Sequence, residues 1–240
     1  MDYQAFCEEF TRIFEKNGLR EWCRGDIMEK FFILTQRMVE TNAVMNITAL
    51  TTTDKIIPLH YADCVIAAKY IPENARVIDI GCGGGFPLLP LAIVRPDLQL
   101  VGVDSTAKKI RYVQSVADEL GLSVTAISGR AEEYQAECRE TFDVAISRAV
   151  ARLNVLDELC MPYVRIGGKF MALKGAAGEE EKAEALGGIE ILGGTLQAVQ
   201  EYELHLENGS EARTLIEIQK VSPTPARYPR VFGAIKKKPL

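Results

Sequence analysis

The chain is poor in histidine and has no paired cysteines. His60 and His205 stand far apart, and the six cysteines, Cys7, Cys23, Cys64, Cys82, Cys138 and Cys160, form no C-x-x-C pair. Zinc-ligand spacing and a disulfide framework are both missing, so no metal is expected and all six cysteines read as reduced thiols. Cys82 lies beside a glycine-rich turn, but its neighbours supply no positive charge to stabilise a thiolate. No stretch approaches the roughly eighteen uninterrupted apolar residues of a membrane span, and the start, MDYQAFCEEF, is acidic where a signal peptide is basic and then apolar. Neither a membrane nor a secreted location is expected; the cytoplasm is.

What is present suits one large domain. The 240 residues are 48% hydrophobic and 25% charged, enough for a full core and against disorder or coiled coil. The net charge of −5 argues by itself against a nucleic-acid partner, but its distribution does not. Residues 220–240 hold Lys220, Arg227, Arg230, Lys236, Lys237 and Lys238 with no acid, giving an acidic body and a basic tail.

Near the start, Phe6, Phe10, Ile13 and Phe14, then Ile27, Phe31, Leu34 and Met38, recur at three- and four-residue spacing, one apolar face of a helix each. The Asn- and Thr-rich stretch Asn42 to Thr53 breaks the pattern, and a further helix is predicted from about Asp54, as N-cap, toward Tyr70. From Arg76 the texture changes to RVIDIG, QLVGVD, VTAISG, FDVAIS and GKFMALK, short β-rich runs alternating with helical segments, which means a parallel sheet. TLQAVQEYEL and ARTLIEIQKV, separated by ENGSE, read as an antiparallel closing hairpin. The expectation is an α/β, Rossmann-like, seven-stranded, mostly parallel sheet over 73–240, with an N-terminal helical cap over 1–72.

Chemistry concentrates at the ends of these strands. Asp79-Ile-Gly81-Cys-Gly83-Gly84-Gly85-Phe86 follows the first strand and precedes the apolar helix FPLLPLAIV, so backbone there can approach a ligand closely. A dinucleotide fingerprint starting at Gly81 requires a glycine where Phe86 stands, which disfavours pyrophosphate binding. Asp104 ends the second strand about twenty residues on, where an acid can accept from both ribose hydroxyls, or can cap the helix that follows. Ala131-Glu132-Glu133 follows the third strand, where an adenine ring can meet the sheet edge. Ser147-Arg148-Ala149-Val150 ends the fourth. There Arg148 offers a rigid cationic fork, while the Asn/Asp-Pro-Pro-Tyr and Pro-Cys motifs suited to amine and carbon methylation are absent.

This succession resembles the class I S-adenosylmethionine (AdoMet)-dependent methyltransferases. Over nearly the whole chain it is similar to the 16S ribosomal RNA guanine-N7 methyltransferase G family, historically glucose-inhibited division protein B. The similarity is carried by Asn46-Ile-Thr48-Ala49, His60, the glycine loop with Pro87, Asp104-Ser105, Lys108-Lys109-Ile-Arg111, Gly129-Arg130-Ala131-Glu132-Glu133, Ser147-Arg148-Ala149-Val150, Leu173-Lys174-Gly175, Tyr228-Pro229-Arg230 and Lys238-Pro239-Leu240. It implies AdoMet contacts at Gly81, Phe86, Asp104, Ala131, Glu132 and Arg148, with Asp79 and Gly83 in the same site. It implies RNA contacts from Arg148, Lys174 and Arg230, to which Lys108, Lys109 and Arg111, mostly outside the apolar stripe of their helix, are added. Leu88-Leu89 departs from the family's common Gly-Ile.

Guanine N7 carries a free lone pair, so methyl transfer there needs no general base, and Arg148 is expected to orient the acceptor. The partner expected is 16S ribosomal RNA or a small-subunit particle, met by a monomer. A methyltransferase of another acceptor and a non-catalytic adenosine-binding module remain open, whereas Phe86 counts against a nicotinamide oxidoreductase. If the tail is a free RNA-binding arm, deleting 227–240 reduces RNA affinity and its salt dependence more than AdoMet affinity; equal loss of both means the tail belongs to the fold.

Overall fold

A computed structural model describes residues 2–148, 151–176 and 178–240. Helix α1 (Tyr3–Lys16) starts where the Asp2 carboxylate accepts the Ala5 N–H at 3.0 Å, and it buries Phe6, Phe10, Ile13 and Phe14 against α2 (Gly25–Asn42). Ring contacts knit the pair, Phe10 stacking on Phe14 at 3.8 Å and tilting against Phe31 at 5.2 Å.

The helix expected from Asp54 is really a chain of tighter and wider turns. It begins after Thr52, so Asp54 lies in its first turn and is not its cap. It runs as α3 (Thr53–Ile56), a π-helical stretch Ile57–Ala62, α4 (Asp63–Val65) and a 3₁₀ stretch Ile66–Tyr70. A π turn widens the hydrogen-bond ladder and frees backbone groups, which is why such turns gather at sites that use them.

Seven strands follow: β1 (Arg76–Ile80), β2 (Gln99–Asp104), β3 (Val124–Ser128), β4 (Phe142–Arg148), β5 (Val164–Lys174), β6 (Gly194–His205) and β7 (Ser210–Lys220). Their spatial order is β3-β2-β1-β4-β5-β7-β6; all neighbours are parallel except β7, antiparallel to both β5 and β6. The predicted sheet and closing hairpin are therefore present. Between β1 and β4 the chain reverses its direction across the sheet, and the carboxyl ends there open a crevice of the kind in which such folds bind ligands.

The helices α5 (Leu88–Val94), α6 (Ala107–Glu119), α7 (Ala131–Cys138), α8 (Leu153–Cys160) and α9 (Gly178–Ile191) cover the sheet. Alternation along the strands sends Val77, Val144, Ile146 and Met171 into one core with α1, α2, α5 and α6, and Ile78, Ile80, Ala145 and Phe170 into a second core with α8 and α9. The N-terminal helices are thus part of the first core. Leu88 and Leu89 are fully buried: a Cβ on Gly102 would lie 2.4 Å from Leu88, and one on Gly85 2.6 Å from Leu89. Glycines opposite them make room for the two leucines. Among the described residues no helix is long and apolar enough to cross a membrane.

The basic tail is not a free arm. Lys220 is buried, with its ammonium on the Met161 carbonyl and the Thr224 hydroxyl and 3.1 Å from Glu140. Arg139 donates to the carbonyls of Thr224 and Tyr228 at 2.7 and 2.8 Å. Arg230 grips the wholly buried Glu158 at 2.5 Å through its fork and donates its backbone N–H to the same carboxylate. The short helix α10 (Phe232–Lys237) then inserts Ile235 into the second core. Arg230→Ala is expected to cost about 3 kcal/mol in urea unfolding, the low end of what an abandoned buried carboxylate costs because Arg230 is itself partly exposed. A loss below about 1 kcal/mol would show the pair to be dispensable.

Candidate active site

The glycine loop is positioned from three sides. Gly81 and Cys82 donate backbone N–H groups to the Val103 carbonyl at 2.8 and 3.2 Å, fastening the loop to β2. Gly83 N–H donates to Asp104 Oδ2 at 3.0 Å, and Thr106 N–H donates to Asp104 Oδ1 at 2.8 Å. Asp104 therefore fixes its own orientation across two loops, and each oxygen keeps a lone pair for a ligand hydroxyl. The helix cap itself is Thr106. From above, Ile47 of the cap presses on Gly84, where a Cβ would meet the Ile47 side chain at 2.5 Å. Gly85 adopts φ +91°, a conformation L side chains rarely adopt. The loop around Ile47 is itself tied down, since Asn42 Oδ1 accepts the N–H groups of Ile47 and Thr48.

Beyond Asp104 a concavity is lined by Ile80, Gly81, Val103, Asp104, Ser105, Gly129 to Glu132, Leu159 and Phe232. The Tyr163 hydroxyl donates to the Ala131 carbonyl at 2.5 Å and sets the start of α7. Apolar walls from β1, β2 and α8 with a ring from the tail suit a flat heterocycle. Gly81, Asp104, Ala131 and Glu132 are thereby brought together; Gly83 joins them through its bond to Asp104.

The opposite end of the loop is charged and buried. Asp79 Oδ2 accepts the Leu88 N–H at 3.2 Å, whereas Oδ1 has no hydrogen-bond partner among the described residues, and burial pushes the carboxyl up to about 8. Arg148, on the neighbouring strand two residues past Asp79's register partner Ile146, donates through Nη1 to Asp63 Oδ2 at 2.9 Å and to the Leu59 carbonyl of the π turn at 2.8 Å. Its Nη2 meets His60 Nδ1 at 2.9 Å, and its Nε is buried without a partner among the described residues. A guanidinium has only donors, so His60 Nδ1 accepts; the ring proton sits on Nε2 and is donated to Thr48 Oγ1 at 2.7 Å. Burial, helped by Arg148, holds the imidazole down at about 3, and it stacks on Phe86 at 4.3 Å and 10°. His60 is thus a neutral spacer between Phe86, Arg148 and the cap loop. Ala149 and Val150 of the fourth motif lie outside the described residues.

These orphaned atoms test whether AdoMet fits. An unpaired cationic donor, Arg148 Nε, and an unpaired carboxyl oxygen, Asp79 Oδ1, lie on adjacent strands at one end of the glycine loop. An α-amino acid zwitterion presents a carboxylate and an ammonium that complement them. Asp104 suits the ribose and the Ala131–Glu132 wall the adenine, so the residues fit the group along its length.

Comparisons with known proteins establish the family and the fold. The family model for rRNA small subunit methyltransferase G matches residues 27–209. The chain belongs to the rRNA small subunit methyltransferase G family. It is 40% identical over 238 residues to the ribosomal RNA small subunit methyltransferase G of Brevibacillus brevis, covering 97% of this chain and 98% of that one. The Clostridium novyi protein of the same name is 42% identical over 204 residues, 83% of each chain. Solved structures share the fold at low identity: YcgJ of Bacillus subtilis has TM-score 0.54 at 16% identity, covering 68% of this chain and all of that one. TYW2 of M. jannaschii, solved in complex with AdoMet, has TM-score 0.55 at 15% identity, covering 68% and 76%.

The remaining family residues divide by surroundings. Lys108 and Arg111 are exposed and Lys109 half-buried on α6, none in an ion pair among the described residues. Lys174 is buried, with its ammonium 2.7 Å from Glu181 and 2.5 Å from the Ala151 carbonyl, and Arg230 is held by Glu158. His60, Asp63 and Arg213 were not singled out from sequence for the roles seen here; Asp63 joins Arg148 to Arg213 over separations of 85 and 150 residues, and no local pattern reports that.

Cys82 is buried and its thiol pushed up by burial, so it remains an unreactive thiol. Asp79 binds a proton in the fold that it lacks when unfolded between pH 4 and 8. Asp79 therefore makes the stability of the ligand-free protein fall as pH rises through that window, by up to about 1.4 kcal/mol per pH unit, against the opposite slope of His60 below about pH 6.5. Denaturant unfolding of Asp79→Asn should show a shallower fall than the wild type; equal slopes would remove Asp79 as the cause. Asp157, also raised to about 8 by burial, leaves a residual slope in both.

Proposed function

We propose that the chain transfers the methyl group of AdoMet to N7 of a guanine in 16S ribosomal RNA. The observation that carries this reading is the pair of unpartnered buried atoms, Arg148 Nε and Asp79 Oδ1, beside the glycine loop in a chain of this family. AdoMet, held through Asp79, Gly81, Gly83, Phe86, Asp104, Ala131, Glu132 and Arg148, supplies an electrophilic methyl on a sulfonium. The protein's own work is to place the acceptor in line with it. N7 has a lone pair at neutral pH and needs no deprotonation, in keeping with a site whose His60 is locked as a neutral acceptor toward Arg148. Alignment lowers the barrier, and Arg148, fixed by Asp63, Leu59 and His60, orients rather than deprotonates.

RNA affinity rests on phosphate contacts from Lys108, Lys109 and Arg111, reinforced by the exposed Lys236, Lys237 and Lys238. Lys174 and Arg230 contribute by holding the acceptor side and the tail in place, and they meet RNA only where their exposed edges reach it. The protein acts as a monomer in the cytoplasm on an unpaired or flipped guanine.

Incubation with methyl-labelled AdoMet and small-subunit RNA or particles from cells lacking this protein should place label in 7-methylguanosine. With both substrates saturating, Arg148→Ala should lower single-turnover methylation at least tenfold; an unchanged rate would refute the orienting role. Neutralising Lys108, Lys109 and Arg111 together should flatten the dependence of log affinity on log salt by about 2, at roughly 0.7 per contact on single-stranded RNA. An unchanged slope would place the RNA on another face.

A further inference from the structure

A second concavity opens beyond Arg148, over the ends of β4, β5 and β7, lined by Asp63, Arg148, Ala151, Arg152, Leu173, Lys174, Gly175, Glu181 and Arg213. Its cations already have acidic partners: Arg213 lies 3.2 Å from Asp63 and 2.7 Å from Glu211, Arg152 2.6 Å from Glu184, and Lys174 2.7 Å from Glu181. Of the two acids in the lining, Asp63 is bonded through both oxygens, whereas Glu181 is held by one. Both partners, the Leu153 N–H at 2.8 Å and the Lys174 ammonium, bind the same oxygen, Oε2, and Oε1 accepts nothing among the described residues. A carboxylate anchored by one oxygen, with the other free in a half-buried cavity, is an acceptor for paired donors.

We propose that Glu181 is the specificity-determining residue that reads guanine, accepting from its N1–H and exocyclic N2–H₂ groups. The inference rests on the reading of the chain as a guanine-N7 methyltransferase. Methyl transfer to N7 requires that edge of the base to face the cofactor end of the cavity, where Arg148 lies. O6 is on the same edge as N7 and so faces the Arg148 cation, which favours a carbonyl there over an amino group. The opposite edge, bearing N1–H and N2–H₂, is then turned away from Arg148, and Glu181 is the lining acid that keeps an oxygen to receive it. Adenine in the same pose puts its N6 amino group against the Arg148 guanidinium and its unprotonated N1 against the Glu181 carboxylate. Both contacts are repulsive, so one wall selects against adenine by donor clash and the other by acceptor clash.

The test pairs a change in the base with a change in the wall. Small-subunit particles are reconstituted on RNA carrying either guanosine or inosine, which lacks N2–H₂ but keeps O6, N7 and N1–H, at the position the wild type labels. Wild type should show kcat/KM about 10- to 100-fold lower on inosine, the loss of a hydrogen bond to a charged acceptor. Glu181→Gln should discriminate no more than about threefold while binding AdoMet as wild type does. Glu181→Asp, which keeps the charge one methylene further back, should fall between, and it repeats the comparison if Glu181→Gln is too unstable to assay. Equal turnover of the two bases by wild type, or undiminished discrimination by Glu181→Gln, overturns the assignment of Glu181. Failure of wild type to methylate guanine N7 in either particle overturns the underlying reading instead.

Discussion

A guanidinium is costly in a protein interior unless its charge is compensated and most of its N–H groups are received, and Arg148 is mostly buried. Its compensation comes from Asp63, and its hydrogen-bond acceptors are Asp63, the Leu59 carbonyl and His60. All three belong to one irregular helix of the cap. The wide turn at Ile57–Ala62 places a backbone carbonyl and an imidazole toward the same cation, and an unbroken α-helix would hold its carbonyls in its own ladder. Through His60 and Thr48 the same arrangement reaches the loop whose Ile47 closes on Gly84. The cap, the fourth strand and the glycine loop are therefore held in one register by one charge.

That arrangement also explains how an acidic protein offers a site to RNA. On the acceptor side each cation is already matched by an acid, so the cavity has hydrogen-bonding capacity without a large excess field. Outside that cavity, α6 and the end of α10 carry cations with no ion pair among the described residues. Long-range attraction and close-range recognition are thus assigned to different surfaces, which favours selection among bases over indiscriminate affinity for phosphate.

The order of strands, the hairpin and the first two helices were legible because each rests on a local period: the runs from RVIDIG to GKFMALK alternate with helical segments, and Phe6 to Phe14 recur at helical spacing. The glycine loop, Asp104 and Ala131-Glu132 were legible for a similar reason, since each follows its strand directly and parallel strands put their ends on one edge. What was not legible depends on partners distant in sequence. Nothing near Arg230 announces the buried Glu158, so a run of cations without acids read only as a basic tail, although part of it is built into the second core. The helix expected from about Asp54 read as regular because its apolar residues keep a helical period whether the turn holds a few tenths of a residue more or less. His60 stood alone in sequence, and its meaning comes from Phe86, Arg148 and Thr48 around it.

The central claim is that the Arg148–Asp63 pair registers the cap against the site. The most direct test is a double-mutant cycle on the stability of the ligand-free protein, with Asp63→Ala, Arg148→Ala and both together followed by denaturant unfolding. Each single change should be strongly destabilising, because it leaves an opposite charge buried, while the double change should be milder than their sum by about 1–3 kcal/mol. Additivity within about 0.5 kcal/mol would contradict the account, since it would mean that the two charges do not depend on one another.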